Sequence, residues 1–166
     1  APGLRGANRT GRPFTGDFAG DLLYKSLIDY GFAAGTYQAR PDDGLKLINT
    51  RLTNTVRCVP PENKPTGGEV KTCSAFLIRE INAMPNLKVV LALGSLAHNA
   101  VLSVFGAKKS ACKFAHNALH SVSFGEREIK LLDTYHTSRY NVNTGKLTPE
   151  MFDAVFKTLA TLMPRG

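Results

Sequence analysis

Apolar residues recur at three- and four-residue intervals in four stretches of this chain, and they alternate or run together in three others. Phe18, Leu22, Leu23 and Leu27 predict a helix over 17–30, with Gly31 as its stop. Thr66 and Glu69 have capping-box spacing ahead of Val70, Cys73, Leu77, Ile81 and Met84, which predicts a second helix. Residues 88–93 read as a buried strand closed by Gly94, with Ser95 as the cap of a third helix carrying Leu96, Ala100, Val101 and Val104. Thr148-Pro149 opens the last helix, whose Phe152, Val155, Phe156, Leu159 and Leu162 form one stripe. Residues 47–56 alternate as a strand does, and 122–124 with 129–134 predict a β pair about a Gly125-Glu126 turn. Strand, glycine turn, helix is the grammar of an α/β domain.

Four segments escape these periods. The first seventeen residues hold four glycines, two prolines and three arginines, so they form a shaped loop and no regular element. Its glycines allow close approach to a ligand, Phe14 offers a flat apolar face, and Asp17 stands at the mouth of the first helix. An ordinary glycine-rich surface loop has the same composition. The second segment, Tyr135-His136-Thr137-Ser138-Arg139-Tyr140-Asn141-Val142-Asn143-Thr144-Gly145, follows a strand and precedes a helix. Polar loops of this kind on a rigid scaffold are where binding and catalysis concentrate. Asn54, near the end of the 47–56 run, is placed to present an amide to a ligand at a strand's carboxyl end, or to stabilise a turn. Residues 33–46 read as an exposed excursion, and 110–120 as a loop in which His116 and His120 have metal-pair spacing without a helical pattern to support it.

Composition narrows the class. The chain has 166 residues, 18.0 kDa and 43% hydrophobic content, suited to one domain over 1–166 with a substantial core. No run approaches the roughly eighteen apolar residues that span a bilayer, which excludes a membrane helix and makes the cytoplasm the expected location. A net charge of +8 and pI of 9.6 favour an anionic partner, nucleic acid first, with Arg5, Arg9, Arg12, Arg139 and Lys146 beside the two polar loops. Three cysteines argue against a disulfide framework. Cys58 follows the strand pattern and Cys73 lies on a helical one, so they either converge on a metal or cluster or are free thiols; Cys112 reads as a buried thiol.

Ala1-Pro2-Gly3 with Asn8 through Asp17, then Thr53 through Pro65 including Asn54 and Cys58, then Tyr135-His136-Thr137-Ser138-Arg139-Tyr140-Asn141 and Thr144-Gly145-Lys146-Leu147-Thr148, resemble the family 5 (type b) uracil-DNA glycosylases. The blocks occur in the family's order and cover the chain to its last helix. The resemblance implies a three-layer α/β/α fold with a central parallel sheet. It implies excision of uracil, and of other deaminated bases, from DNA by a monomer acting on a flipped nucleotide, leaving an abasic site. It matches Asp17 to the acid that positions or activates water, His136 to the histidine at base and sugar, and Asn54 to the asparagine of the base pocket. Phe14 matches the stacking aromatic, while Gly3, Asn8, Ser138, Arg139 and Asn141 match residues around the substrate. The apolar Leu4 after Pro2-Gly3 favours the broad-specificity branch.

Family members carry a strand ahead of the Ala-Pro-Gly motif and two further cysteines that join the equivalents of Cys58 and Cys73 around a 4Fe-4S cluster. Neither is present in these 166 residues, so the expectation is a piece of a longer chain. The longer chain would hold the cluster through Cys58, Cys73 and two upstream ligands, and this piece would hold it poorly or not at all. Two other functions compete with the glycosylase: a nucleic-acid-binding module of the same fold without catalysis, and a hydrolase of free nucleosides or nucleotides.

Overall fold

The computed structural model describes residues 1–4, 6–16 and 18–164; Arg5 and Asp17 are among those outside it. In chain order the elements are α1 (Ala7–Thr10), α2 (Phe18–Asp29), β1 (Ala33–Ala34), β2 (Lys46–Leu47), a 3-10 turn (Pro61–Asn63), α3 (Gly67–Asn82), β3 (Val89–Leu93), α4 (Ser95–Phe105), β4 (Leu119–Phe124), β5 (Arg127–Thr134), α5 (Arg139–Asn143) and α6 (Pro149–Leu162).

The sheet has the order β3-β5-β4. β3 runs parallel to β5, pairing Val89 with Lys130 through Leu93 with Thr134, whereas β4 returns antiparallel from Leu119 opposite Leu132 to Phe124 opposite Arg127. The expected central parallel sheet is therefore mixed among the described residues. The two-residue turn at Gly125-Glu126 forces this, because a hairpin can join only antiparallel strands.

The pleat sends alternate residues of β5 to opposite faces, and each face has its own core. Leu132 packs with Leu23, Tyr24 and Leu27 of α2 and Phe152, Val155, Phe156 and Leu159 of α6. Ile129 and Leu131 pack with Val101 and Leu102 of α4, with Cys112 in the same cluster. Helices thus cover both faces, in keeping with the three-layer α/β/α expectation. No described helix is long and apolar enough to cross a membrane.

The helices follow their sequence signals closely. α3 has the predicted capping box, Thr66 accepting from the N–H of Glu69 while Glu69 returns to the N–H of Thr66. α4 begins differently: its N-cap is Gly94, and Ser95 is already helical. The larger correction concerns residues 47–56. Only Lys46–Leu47 pairs, with Ala33–Ala34, and the rest is irregular. Asn49 turns into the left-handed region at φ 48, and the apolar positions Leu52 and Val56 pin a meandering segment to the core. Asn54 consequently does not sit at a strand end. His120 belongs to β4 and His116 to the preceding loop, so the two are not one turn apart on a helix.

Candidate active site

The opening loop is built from the inside. The carbonyl of Gly3 accepts from the N–H groups of Gly6 and Asn8, and the Thr10 hydroxyl spans the turn between Gly6 and Arg12. The buried Tyr24 of α2 donates its hydroxyl to the Pro13 carbonyl at 2.6 Å, and burial of that ring pushes the phenol up from its ordinary value. Arg12 forms a two-pronged ion pair with Asp43, both contacts 3.0 Å, with side-chain exposures of 20% and 0%. The arginine's hydrogen bonds hold the Asp43 carboxyl well below the usual carboxylate range against the opposing effect of burial, and N–H groups of Gln38 and Leu45 add to it. Arg12, counted in the sequence among the cations that favour an anionic partner, is thus committed to the fold. The 33–46 excursion, which had no readable role, is the buttress of this loop: Tyr37 stacks on Tyr24 with centroids 4.4 Å apart.

Phe14 is held by backbone. Its φ is 59, a region that bulky residues seldom enter, and such strain persists only where surroundings enforce it. Gly20 of α2 enforces it: a Cβ there would lie 1.8 Å from the Phe14 carbonyl oxygen, so the loop rests directly on the helix backbone.

The second loop leaves β5 at Thr134. Its buried Thr137 hydroxyl donates to the Ala19 carbonyl at 2.9 Å, fastening it to the first turn of α2. Ser138 caps α5 by accepting from the N–H of Asn141, whose side-chain amide donates to the His136 carbonyl at 2.8 Å. Arg139 lies over the Phe18 ring, 5.7 Å from its centroid. His116 clasps the loop's first residue: its ring stacks on Tyr135 at 5.0 Å, Nδ1 accepts from the Tyr135 N–H, and Nε2 donates to the Met151 carbonyl of α6. His136 passes Gly94, where a Cβ would stand 3.4 Å from the His136 Cβ.

These supports bring the two loops together. The rings of Phe14 and His136 lie 6.2 Å apart at an interplanar angle of 40°, beside the carboxyl ends of the parallel pair β3 and β5. That is where ligands gather in open α/β sheets. Gly3 and Asn8 belong to the same folded loop as Phe14, and Ser138, Arg139 and Asn141 to that of His136. Asp17 lies outside the described residues. Asn54 is half-buried on the irregular segment. Two open hollows elsewhere, beside Gly35–Tyr37 and beside Pro85–Lys88, gather no comparable set of groups.

Sequence reasoning missed the supporting roles of Asp43, Gly20, Thr137 and His116: Asp43 and His116 act on the loops from a distance along the chain, whereas Gly20 and Thr137 lie close to the loops or within them. It also passed over Tyr140, which stands 73% exposed between Arg139 and Asn141. Only Tyr140 carried a signal, an aromatic inside a polar loop.

Cys58 is exposed on the irregular segment and Cys73 half-buried on α3. The neighbours of both meet: Arg57 lies over Phe76 of α3 at 5.4 Å and, with Arg51, binds Glu80 at 2.6 Å. Burial pushes the Glu80 carboxyl up, but the two guanidiniums outweigh it and leave it below its ordinary value. Cys73, Phe76 and Glu80 recur at helical spacing, so the Cys58 segment is strapped along the face of α3 that carries Cys73. This donor pair fits half of a four-thiolate set.

Residues 1–160 match the model of the uracil DNA glycosylase superfamily. The type-5 uracil-DNA glycosylase of Thermus thermophilus is 45% identical over 152 residues, which are 92% of this chain and 68% of the relative. That of Pyrobaculum aerophilum is 39% identical over 160 residues, 96% of this chain and 68% of its own length. A type-4 enzyme of Sulfurisphaera tokodaii is 31% identical over 159 residues, 93% of this chain and 65% of the relative. Two loops folded against each other at the end of a parallel strand pair, in a chain matched almost throughout, lead to one conclusion: the chain belongs to the uracil-DNA glycosylase superfamily.

Proposed function

We propose that this chain hydrolyses the bond between uracil, or another deaminated base, and deoxyribose in DNA, leaving an abasic site. The observation that carries the reading is the approach of Phe14 to His136, which makes a flat face and a hydrogen-bond donor available to one extruded base. Extrusion costs about a few kcal/mol and is needed because the bond to be cut is otherwise buried in the stack. Cleavage puts positive charge on the sugar and negative charge on the departing base, so an acceptor, here a carboxylate, is needed on one side and donors on the other. Asp17 positions water for addition to the sugar carbon and takes its proton; an N–H of His136 and the amide of Asn54 receive the charge on the base. Gly3 and Asn8 line the base side of the opening loop. Arg139, with Ser138 and Asn141, holds flanking phosphate, and the exposed Tyr140 ring is suited to fill the gap left in the stack.

In this reading Cys58 and Cys73 supply two thiolates to a 4Fe-4S cluster whose other two ligands come from outside the 166 residues. The cluster would add a rigid clip between the irregular segment and α3, leaving base excision to the loops. One chain acts alone on DNA in the cytoplasm.

Single-turnover excision on a uracil-containing oligonucleotide tests the proposal. Asp17→Asn and His136→Ala should each lower the rate by about 10- to 1000-fold, the usual cost of losing one such group. Near-wild-type rates in both variants would remove these roles. Binding without abasic sites would identify a non-catalytic module, and cleavage of free nucleosides with little response to salt would identify a nucleoside hydrolase.

A further inference from the structure

On the α4 side of the sheet, apart from the two loops, three metal-ligating side chains face one another. His98 of α4, His120 of β4 and Asp133 of β5 bring ligand atoms within 4.8 Å of each other. His98 and Asp133 are buried, while the His120 side chain is 14% exposed and gives the cluster a route to solvent.

The partners of His98 dictate its tautomer. Nε2 lies 2.9 Å from the carbonyl of Cys112, which can only accept, so Nε2 carries hydrogen. Nδ1 lies 2.8 Å from Oδ1 of Asp133. A neutral ring with Nε2–H turns its Nδ1 lone pair on the carboxylate, so a cation has to stand between the two: a proton or a metal ion. His120 approaches the other carboxylate oxygen, its Nε2 3.1 Å from Oδ2. A proton on each imidazole satisfies this arrangement when no metal is bound. A metal replaces both and engages all three side chains at once.

Two further features favour a metal. A histidine ligand characteristically donates its other ring N–H to a backbone carbonyl, which fixes the ring and raises its basicity; the Cys112 carbonyl stands in that position. Two imidazoles and one carboxylate suit zinc and its divalent neighbours, whereas calcium and magnesium prefer oxygen ligands throughout. The Phe114 ring meets His98 edge to face at 5.6 Å and adds a dry wall.

We propose that His98 Nδ1, His120 Nε2 and the Asp133 carboxylate form a binding site for a divalent transition metal, zinc first, clasping α4, β4 and β5 with one coordination position open to solvent. The protons on the two ring nitrogens leave to solvent as the ion enters. The site is independent of the reading of the loops as a glycosylase.

Metal-stripped protein titrated with Zn²⁺ alone tests it. One equivalent should bind with release of protons and a rise in melting temperature. In ¹H–¹⁵N spectra of the ring nitrogens, His98 should lose its Nδ1 proton and keep that on Nε2. Co²⁺ should give visible ligand-field bands without thiolate charge transfer, which separates this site from Cys58 and Cys73. His120→Ala removes a partly exposed side chain and should weaken binding by more than the about 10- to 100-fold that loss of an outer partner costs. His98→Gln, checked for folding by circular dichroism, should do the same. No saturable binding, binding indifferent to His120→Ala, or bands of thiolate coordination would each overturn the assignment.

Discussion

Gly20→Ala pits two effects of known sign against each other. Within a helix the change ordinarily stabilises by about 1 kcal/mol, because alanine has less backbone freedom to lose. Here the new Cβ falls 1.8 Å from the Phe14 carbonyl oxygen, and real Cβ contacts do not go below 3.0 Å, so loop or helix backbone must move by at least 1.2 Å, the difference between the two. The Tyr37 hydroxyl, 2.6 Å from the same point, blocks an easy escape. Overpacking of this kind costs about 1 to 3 kcal/mol, which outweighs the propensity gain at its upper end and cancels it at its lower. Net stability should fall by up to about 2 kcal/mol, or about 4 to 8 °C in melting temperature for a chain of this size. The functional cost is larger than the thermodynamic one. The shifted residue is Phe14, and displacement of a substrate-positioning group by about 1 Å can cost about a hundredfold in rate. Thermal unfolding and single-turnover excision should therefore both decline, the second steeply. Gly68→Ala, where the nearest atom is the Thr66 hydroxyl at 3.9 Å, serves as the control and should be neutral or slightly stabilising. A Gly20→Ala protein as stable and as active as the parent would refute the claim that Phe14 is held by backbone contact with α2.

Other outcomes follow from the same supports. Arg12→Ala should destabilise the chain by about 2 kcal/mol in urea unfolding, more than an exposed pair and less than a fully buried one, since Asp43 is left without its cation. The folded-state carboxyl of Asp43 is depressed, so its contribution is present in full above the unfolded value near pH 4 and is lost as pH falls through the folded value; Asp43→Asn should flatten that acid limb. Arg139→Ala should weaken DNA binding about equally across sequences and reduce the salt slope by about 1, measured by titration at several salt concentrations. A longer chain that includes the expected upstream ligands should contain iron and acid-labile sulfide, and Cys73→Ser should remove them; a parent chain free of iron would end the cluster assignment.

The four long helices and the β hairpin were legible because their signals are local. A capping box at Thr66, a proline at the first position of α6 and a glycine at the turn after β4 act within a few residues, and the apolar stripes show which face is buried. The 47–56 run misled because alternation records only which residues face the core; a strand needs a partner edge, and beyond Lys46–Leu47 none is present among the described residues. Asn54 was consequently placed by a strand that does not form. The mixed character of the sheet follows from the Gly125-Glu126 turn, which makes β4 and β5 antiparallel, whereas the expectation of a parallel sheet came from the family resemblance.

The residues of the two polar loops were conspicuous in the sequence for their chemistry, and their order along the chain was enough to suggest the family. That they meet was a tertiary outcome. Phe14 and His136 are more than a hundred positions apart, and their approach depends on Gly20 admitting a backbone, on Thr137 reaching the Ala19 carbonyl, and on Arg12 finding Asp43. The same holds for His98, His120 and Asp133, each unremarkable in its own segment and significant only where a helix and two strands converge. Local free energies decide which segments become helix or turn; long-range packing decides which side chains share a space, and in this chain the chemistry lies in the shared spaces.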